Sequence, residues 1–232
     1  MLTTRPARAV AAEVWLATPA AALLFDPSRL GVEDRAGWDG LHTARRREDW
    51  ASSRALLAAV PGADGHASSL SHSRGFAALA RAPGQVAVGV DVEWLSTRDF
   101  VSMARTAYAP AEADELASLA DAASLRERFY EAWTLKEAFA KALRLPLADA
   151  LGQCRFTGAD DAATARVPTT RPWSATVFAP RPQLRLAVVM VADDSAAVPS
   201  VLHTLEWPSG HAVAWRVVRR LAGGGGAMAA TC

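Results

Sequence analysis

Cysteine is almost missing from this sequence. Cys154 and Cys232 are the only two in 232 residues, and Cys232 ends a glycine-rich tail. Two such residues build neither a disulfide framework nor a cysteine metal site. Their scarcity fits a reducing, cytoplasmic setting. An excess of one sign of charge is missing as well: 25 basic residues face 24 acidic ones, for a net charge of +1. Such a chain has no global field to gather nucleic acid, so no nucleic-acid partner is expected. Long apolar runs are also lacking. None reaches the ~20 residues that span a bilayer, and no membrane partner is expected. The five histidines lack metal-ligand spacing, and the G-x-S-x-G elbow of many serine hydrolases does not occur.

What is present is a globular composition. With 51% hydrophobic residues, the chain can bury one large core or two small ones. Arg5 and Arg8 precede Ala9-Val10-Ala11-Ala12-Glu13-Val14-Trp15-Leu16, which loosely suggests an export signal. Glu13 interrupts that stretch and no clean cleavage site follows, so a first strand over 10–18 is the preferred reading. Helical spacing covers 45–60, with Trp50, Leu56 and Leu57 as its apolar positions. A loop at 61–65 leads to a short segment at 69–73, a strand at 76–82 and a Pro83-Gly84 turn.

Residues 85–93 alternate Val86, Val88, Val90 and Val92 against Ala87, Gly89, Asp91 and Glu93. That is a strand with both carboxylates on one face, ~7 Å apart. Helices are expected at 100–107, from Pro110 with Glu112 in its first turn, and at 124–145. The last of these buries Leu125, Phe129, Ala132, Trp133, Ala140 and Leu143, and Pro146 ends it. Strands follow at 173–178, 184–191 and 212–218, and 223–232 reads as a low-complexity, disordered tail. Helix followed by paired strands occurs twice. The expected fold is α+β, two pseudo-symmetric α/β halves with a helix on a small, mostly antiparallel sheet in each. The expected units are 1–88, 89–222 and the tail.

Two charged stretches carry the chemistry. Asp91 and Glu93 repel one another unless solvent or a cation offsets their charge. They are either a solvated strand end or a site for Mg²⁺, which takes carboxylates, phosphates and water. Glu137 and Lys141 lie four apart on one helix face, beside Trp133. They are either a surface pair worth ~0.3–0.5 kcal/mol or a charged pair that a ligand balances. Ser71-His72-Ser73 either caps a turn or donates to phosphate oxygens. Basic residues at Arg45-Arg46-Arg47, Arg126, Arg128 and Arg144 are either solvated faces or a surface for an acidic partner.

These residues resemble the 4′-phosphopantetheinyl transferases, in particular the longer, pseudodimeric type that modifies carrier proteins of polyketide, nonribosomal peptide and fatty-acid biosynthesis. The resemblance runs through Arg46-Arg47-Glu48-Asp49-Trp50 to Arg54, Leu70-Ser71-His72-Ser73, Gly89-Val90-Asp91-Val92-Glu93, and Trp133-Thr134-Leu135-Lys136-Glu137-Ala138-Phe139-Ala140-Lys141. Two departures stand out. The family's glycine-lysine-proline hairpin is absent between 60 and 69, and its glycine-x-glycine loop is replaced by Ala142-Leu143-Arg144-Leu145-Pro146.

The resemblance implies an active site between the halves and transfer of 4′-phosphopantetheine from coenzyme A to a serine of an apo acyl or peptidyl carrier protein. Adenosine 3′,5′-bisphosphate leaves. It implies Mg²⁺ (or Mn²⁺) on Asp91, Glu93 and Glu137, with Glu137 also a candidate base and Lys141 neutralising the leaving phosphate. Arg47, Arg54, Ser71, His72, Lys136 and Lys141 become candidate coenzyme A contacts. Arg126, Arg128 and Arg144 become candidate steering charges for an acidic carrier protein. A monomer is expected. Another Mg²⁺-dependent phosphoryl-transfer enzyme, or a non-catalytic coenzyme A-binding module, are the alternative readings.

Overall fold

The computed structural model describes residues 11–60, 62, 64–158, 164–193 and 197–224. The chain opens with β1 (Ala11–Ala17). It continues through α1 (Val32–Asp39), α2 (Ala44–Ala59), β2 (His66–Ser73) and β3 (Phe76–Pro83). Both β1 and β2 run antiparallel to β3, which lies between them. A second series begins at β4 (Val86–Trp94). It passes through α3 (Phe100–Ala107), α4 (Pro110–Ser118), α5 (Ala122–Leu143) and α6 (Leu147–Gln153). A short pair follows, β5 (Arg155–Thr157) and β6 (Thr164–Arg166), then β7 (Trp173–Ala179) and β8 (Leu184–Ala192). Here β8 lies between β4 and β7, antiparallel to both. Each sheet thus orders its first three strands first–third–second, with a long helix between the first and the second.

The end of the chain crosses back. β9 (Val201–Trp207) runs parallel to β1 and carries β10 (His211–Ala212), so the first sheet reads β10-β9-β1-β3-β2. Residues 201–212 therefore join the first sheet, although the sequence puts them in the second half. The single strand expected at 212–218 is two pieces in two sheets. β11 (Arg216–Gly223) extends the second sheet to β11-β7-β8-β4. Buried Trp215 marks the crossing between them. The Arg5 and Arg8 segment and most of the expected tail lie outside the described residues.

Alternation explains the layering. Val86, Val88, Val90 and Val92 enter a core shared by the two sheets, against Val14, Leu16, Ala80 and Leu186. The opposite face of β4 meets α5. That helix lays Leu135, Phe139 and Ala142 on Val177 and Val189. Fully burying a side chain such as Leu135 stabilises by about 1.5–3 kcal/mol. Gly89 permits the approach: a Cβ there would overlap the Ala138 carbonyl oxygen and lie 2.7 Å from Ala142 N. On the far side, α2 lays Leu56 on Ala77 and Leu79, whereas Leu57 faces solvent.

Local signals set the helix ends. Thr43 and Asp121 cap α2 and α5 through Arg46 N and Ser124 N, and Pro110 opens α4. At the C-terminus of α5, Arg144 adopts the left-handed conformation (φ 55°) that a glycine there would adopt without strain. Among the described residues, no helix is long and apolar enough to cross a membrane.

Candidate active site

The two sheets meet edge to edge, with β2 beside β4, and α2 and α5 flank the junction. A cleft of about 450 Å³ opens there, lined among others by Arg54, Ser71, His72, Asp91, Glu137 and Lys141. The lining residues come from both sheets and both helices. Carboxylate oxygens of Asp91, Glu93 and Glu137 lie within 4.8 Å of one another. Asp91 is 2% exposed. Its Oδ1 accepts from Ser71 Oγ (2.8 Å) and Lys141 Nζ (2.9 Å). With the carboxyls ionised, buried Asp91 Oδ2 has no hydrogen-bond partner.

Three clustered carboxyls, one buried and two half-buried, cannot all ionise cheaply. Burial, then the Asp91 charge, pushes Glu93 up to about 7, against the pull of Ser73. Burial and Asp91 push Glu137 up to about 8, against the Lys141 charge, and a protonated Glu137 shares its proton with Asp91. A hard divalent cation would relieve the repulsion and satisfy the orphaned Oδ2, so this all-oxygen set fits Mg²⁺ or Mn²⁺. Lys141 Nζ also donates to Val90 O (2.9 Å) and lies 3.9 Å from Glu137 Oε2. Two of its three protons are committed, which leaves one for the cleft.

The other expected contacts divide. Exposed His72 and half-buried Arg54 line the cleft. Arg54 already holds Asp34 of α1 through Nε (3.1 Å) and a second nitrogen (2.8 Å), and stacks on Trp50. Arg47 does not line the cleft. It donates to Leu41 O and lies over Trp38, part of an aromatic cluster with Phe25 and Trp50.

Lys136 corrects the sequence reading. Its side chain is fully enclosed on the far face of α5, where Nζ donates to Glu112 Oε2, Leu151 O and Cys154 O. It reaches no ligand. Burial lowers its proton affinity and Glu112 restores part of it. Arg128 is likewise occupied, by Glu115, Glu131 and the carbonyls of Phe156 and Gly158, so it steers no partner. Arg144 is exposed.

Sequence reasoning missed four residues. Trp50 and Ser53 line the cleft, Asp34 occupies Arg54, and Ser73 Oγ donates to Glu93 Oε2 (2.8 Å). The period-two run of Ser69, Ser71 and Ser73 was the available signal for the last.

Residues 87–189 match the family model described as the 4′-phosphopantetheinyl transferase superfamily. This matched stretch, just under half of the chain, runs from the strand bearing Asp91 and Glu93 through the helix bearing Glu137 and Lys141. The resemblance read from the sequence is borne out at superfamily level over this stretch, and the match supports a transferase. No curated protein matched the chain in a parallel search.

Proposed function

We propose that this protein transfers the 4′-phosphopantetheine arm of coenzyme A to a serine of an apo acyl or peptidyl carrier protein, with Mg²⁺ (or Mn²⁺) in the cleft. One observation carries the reading. The matched segment brings three carboxylates from a strand and a distant helix together beside a lysine, with a buried oxygen left unpartnered.

Asp91, Glu93 and Glu137 hold the cation, which when bound neutralises the pyrophosphate of coenzyme A. Glu137 accepts the proton of the carrier serine, and its raised proton affinity suits a base near neutral pH. The serine oxygen bonds to the phosphorus that bears pantetheine. The bridging phosphorus–oxygen bond breaks, and its electron pair leaves on the phosphate of adenosine 3′,5′-bisphosphate. Lys141 offers its third N–H to that oxygen. His72 and Arg54 contact the 3′-phosphate, Arg54 by exchanging or sharing Asp34.

The test is direct. Incubated with an apo carrier protein, coenzyme A and Mg²⁺, the protein should add the mass of one phosphopantetheine group to the carrier. An unmodified carrier across several carrier classes would overturn the proposal. Coenzyme A binding without turnover would favour a binding module instead.

A further inference from the structure

The edges of the two sheets are not joined by a backbone ladder. β4 bonds its full length to β8 on one side. On the other side the alternate N–H groups of Val90, Val92 and Trp94 donate to the hydroxyls of Ser69 (3.0 Å), Ser71 (3.3 Å) and Ser73 (3.2 Å). The partners keep one spacing, 21 residues, so β2 and β4 run in parallel register with serine side chains between them. Two of the three serines do more. Ser71 Oγ donates to Asp91 Oδ1 and Ser73 Oγ donates to Glu93 Oε2, each at 2.8 Å. Each therefore grips a carboxylate and the N–H of the next residue at once. Ser69 has the same backbone contact, but the residue in the matching position is Gly89, which has no side chain to grip.

We infer that Ser71 and Ser73 are positioning residues that orient Asp91 and Glu93 toward the cation, while Ser69 only joins the sheets. This rests on the metal reading proposed above. A serine has one proton to donate. In Ser71 and Ser73 that proton is committed to a carboxylate, and both hydroxyls are largely buried. Ser71 therefore does not donate to a coenzyme A phosphate, which leaves His72 as the contact from that strand. With Oδ1 of Asp91 doubly held, the unpartnered Oδ2 is the atom turned to the cation. Fixing one oxygen of each carboxylate spares the cation the entropic cost of ordering both side chains.

The test uses Mn²⁺ alone, titrated into the full chain without coenzyme A or carrier, with binding read from the spectrum of free Mn²⁺ and by calorimetry. Removing residues that orient metal ligands typically weakens binding roughly 10–100-fold. S71A and S73A should each show a loss in that range, S71T should recover most of it, and S69A should bind like the unaltered protein. All three alanine variants should melt earlier, since each strands a strand N–H. Thermal melts thus separate the joining role, common to all three, from the orienting role of two. If S71A and S73A bind Mn²⁺ as tightly as the unaltered protein, or if S69A loses as much, the orienting role is overturned. If the unaltered protein itself binds no Mn²⁺, the metal reading fails, a result distinct from a failure confined to the serine variants.

Discussion

Lys136 and Lys141 are the chain's only lysines, five residues apart on one helix, and they meet opposite conditions. At about 100° per residue they point roughly 140° apart. Lys136 is enclosed with a carboxylate and two carbonyls, every proton used. Lys141 is about a third exposed, holds Asp91 and Val90, and keeps a proton free beside two carboxyls of raised pKa. Both are buried-carboxylate partners, yet one side balances its charge internally and the other does not. A balanced buried pair holds the fold together. An unbalanced one leaves charge for a ligand to complete.

The sharpest way to break the comparison is on the unbalanced side. D91A should lower phosphopantetheine transfer by at least about 10³-fold, since the cation site and the Lys141 anchor go together. Full modification of a carrier by this variant, read by mass spectrometry, would remove Asp91 from the chemistry. On the balanced side, K136M leaves Glu112 buried without its cation and should cost about 3–5 kcal/mol in chemical denaturation. Wherever that variant is folded, coenzyme A affinity should be unchanged. K141A should reverse the pattern: turnover falls roughly 10²-fold at saturating coenzyme A, with little change in melting temperature. Equal stability losses for the two lysine variants would erase the distinction.

The smallest effect is on pH. Glu93 and Glu137 bind protons more tightly folded than unfolded, so their contribution favours the fold at low pH. It is lost as pH rises through about 7 and about 8. The metal-free protein should therefore lose melting temperature from pH 5 to 9, and E137Q should lose less. Mg²⁺ should suppress the loss, because the cation takes the place of the protons. A flat metal-free profile would mean that the carboxyls ionise without mutual cost.

Much of this was legible in local pattern. Alternation marked β4, apolar spacing marked α2 and α5 within a few residues, and Pro110 with Glu112 marked the start of α4. Asp91 and Glu93 were paired by type and spacing, and Glu137 joined them through the family resemblance; the structure brings the three carboxylates together. What failed was long-range or unpatterned. β9 pairs with β1 across about 190 residues, and no local signal announces a parallel partner at that distance. α1 buries no side chain, so it carries no apolar stripe to read. Lys136 was assigned to ligand by its place in a motif, although its angle on the helix already turned it from Lys141. The serines were seen as a turn because their hydroxyls pair with a strand that contacts them only in three dimensions.

The bare Gly89 has one more consequence. Strand and helix can touch there because no side chain stands between them. That point of contact lies two residues before Asp91 on the strand and, at Ala138, one residue after Glu137 on the helix. A methyl group added at 89 would act as a wedge at a fulcrum, tilting α5 and widening the gap that the carboxyls must close. The reach of this chemistry is therefore gauged by the smallest residue in the neighbourhood, one that takes no part in it.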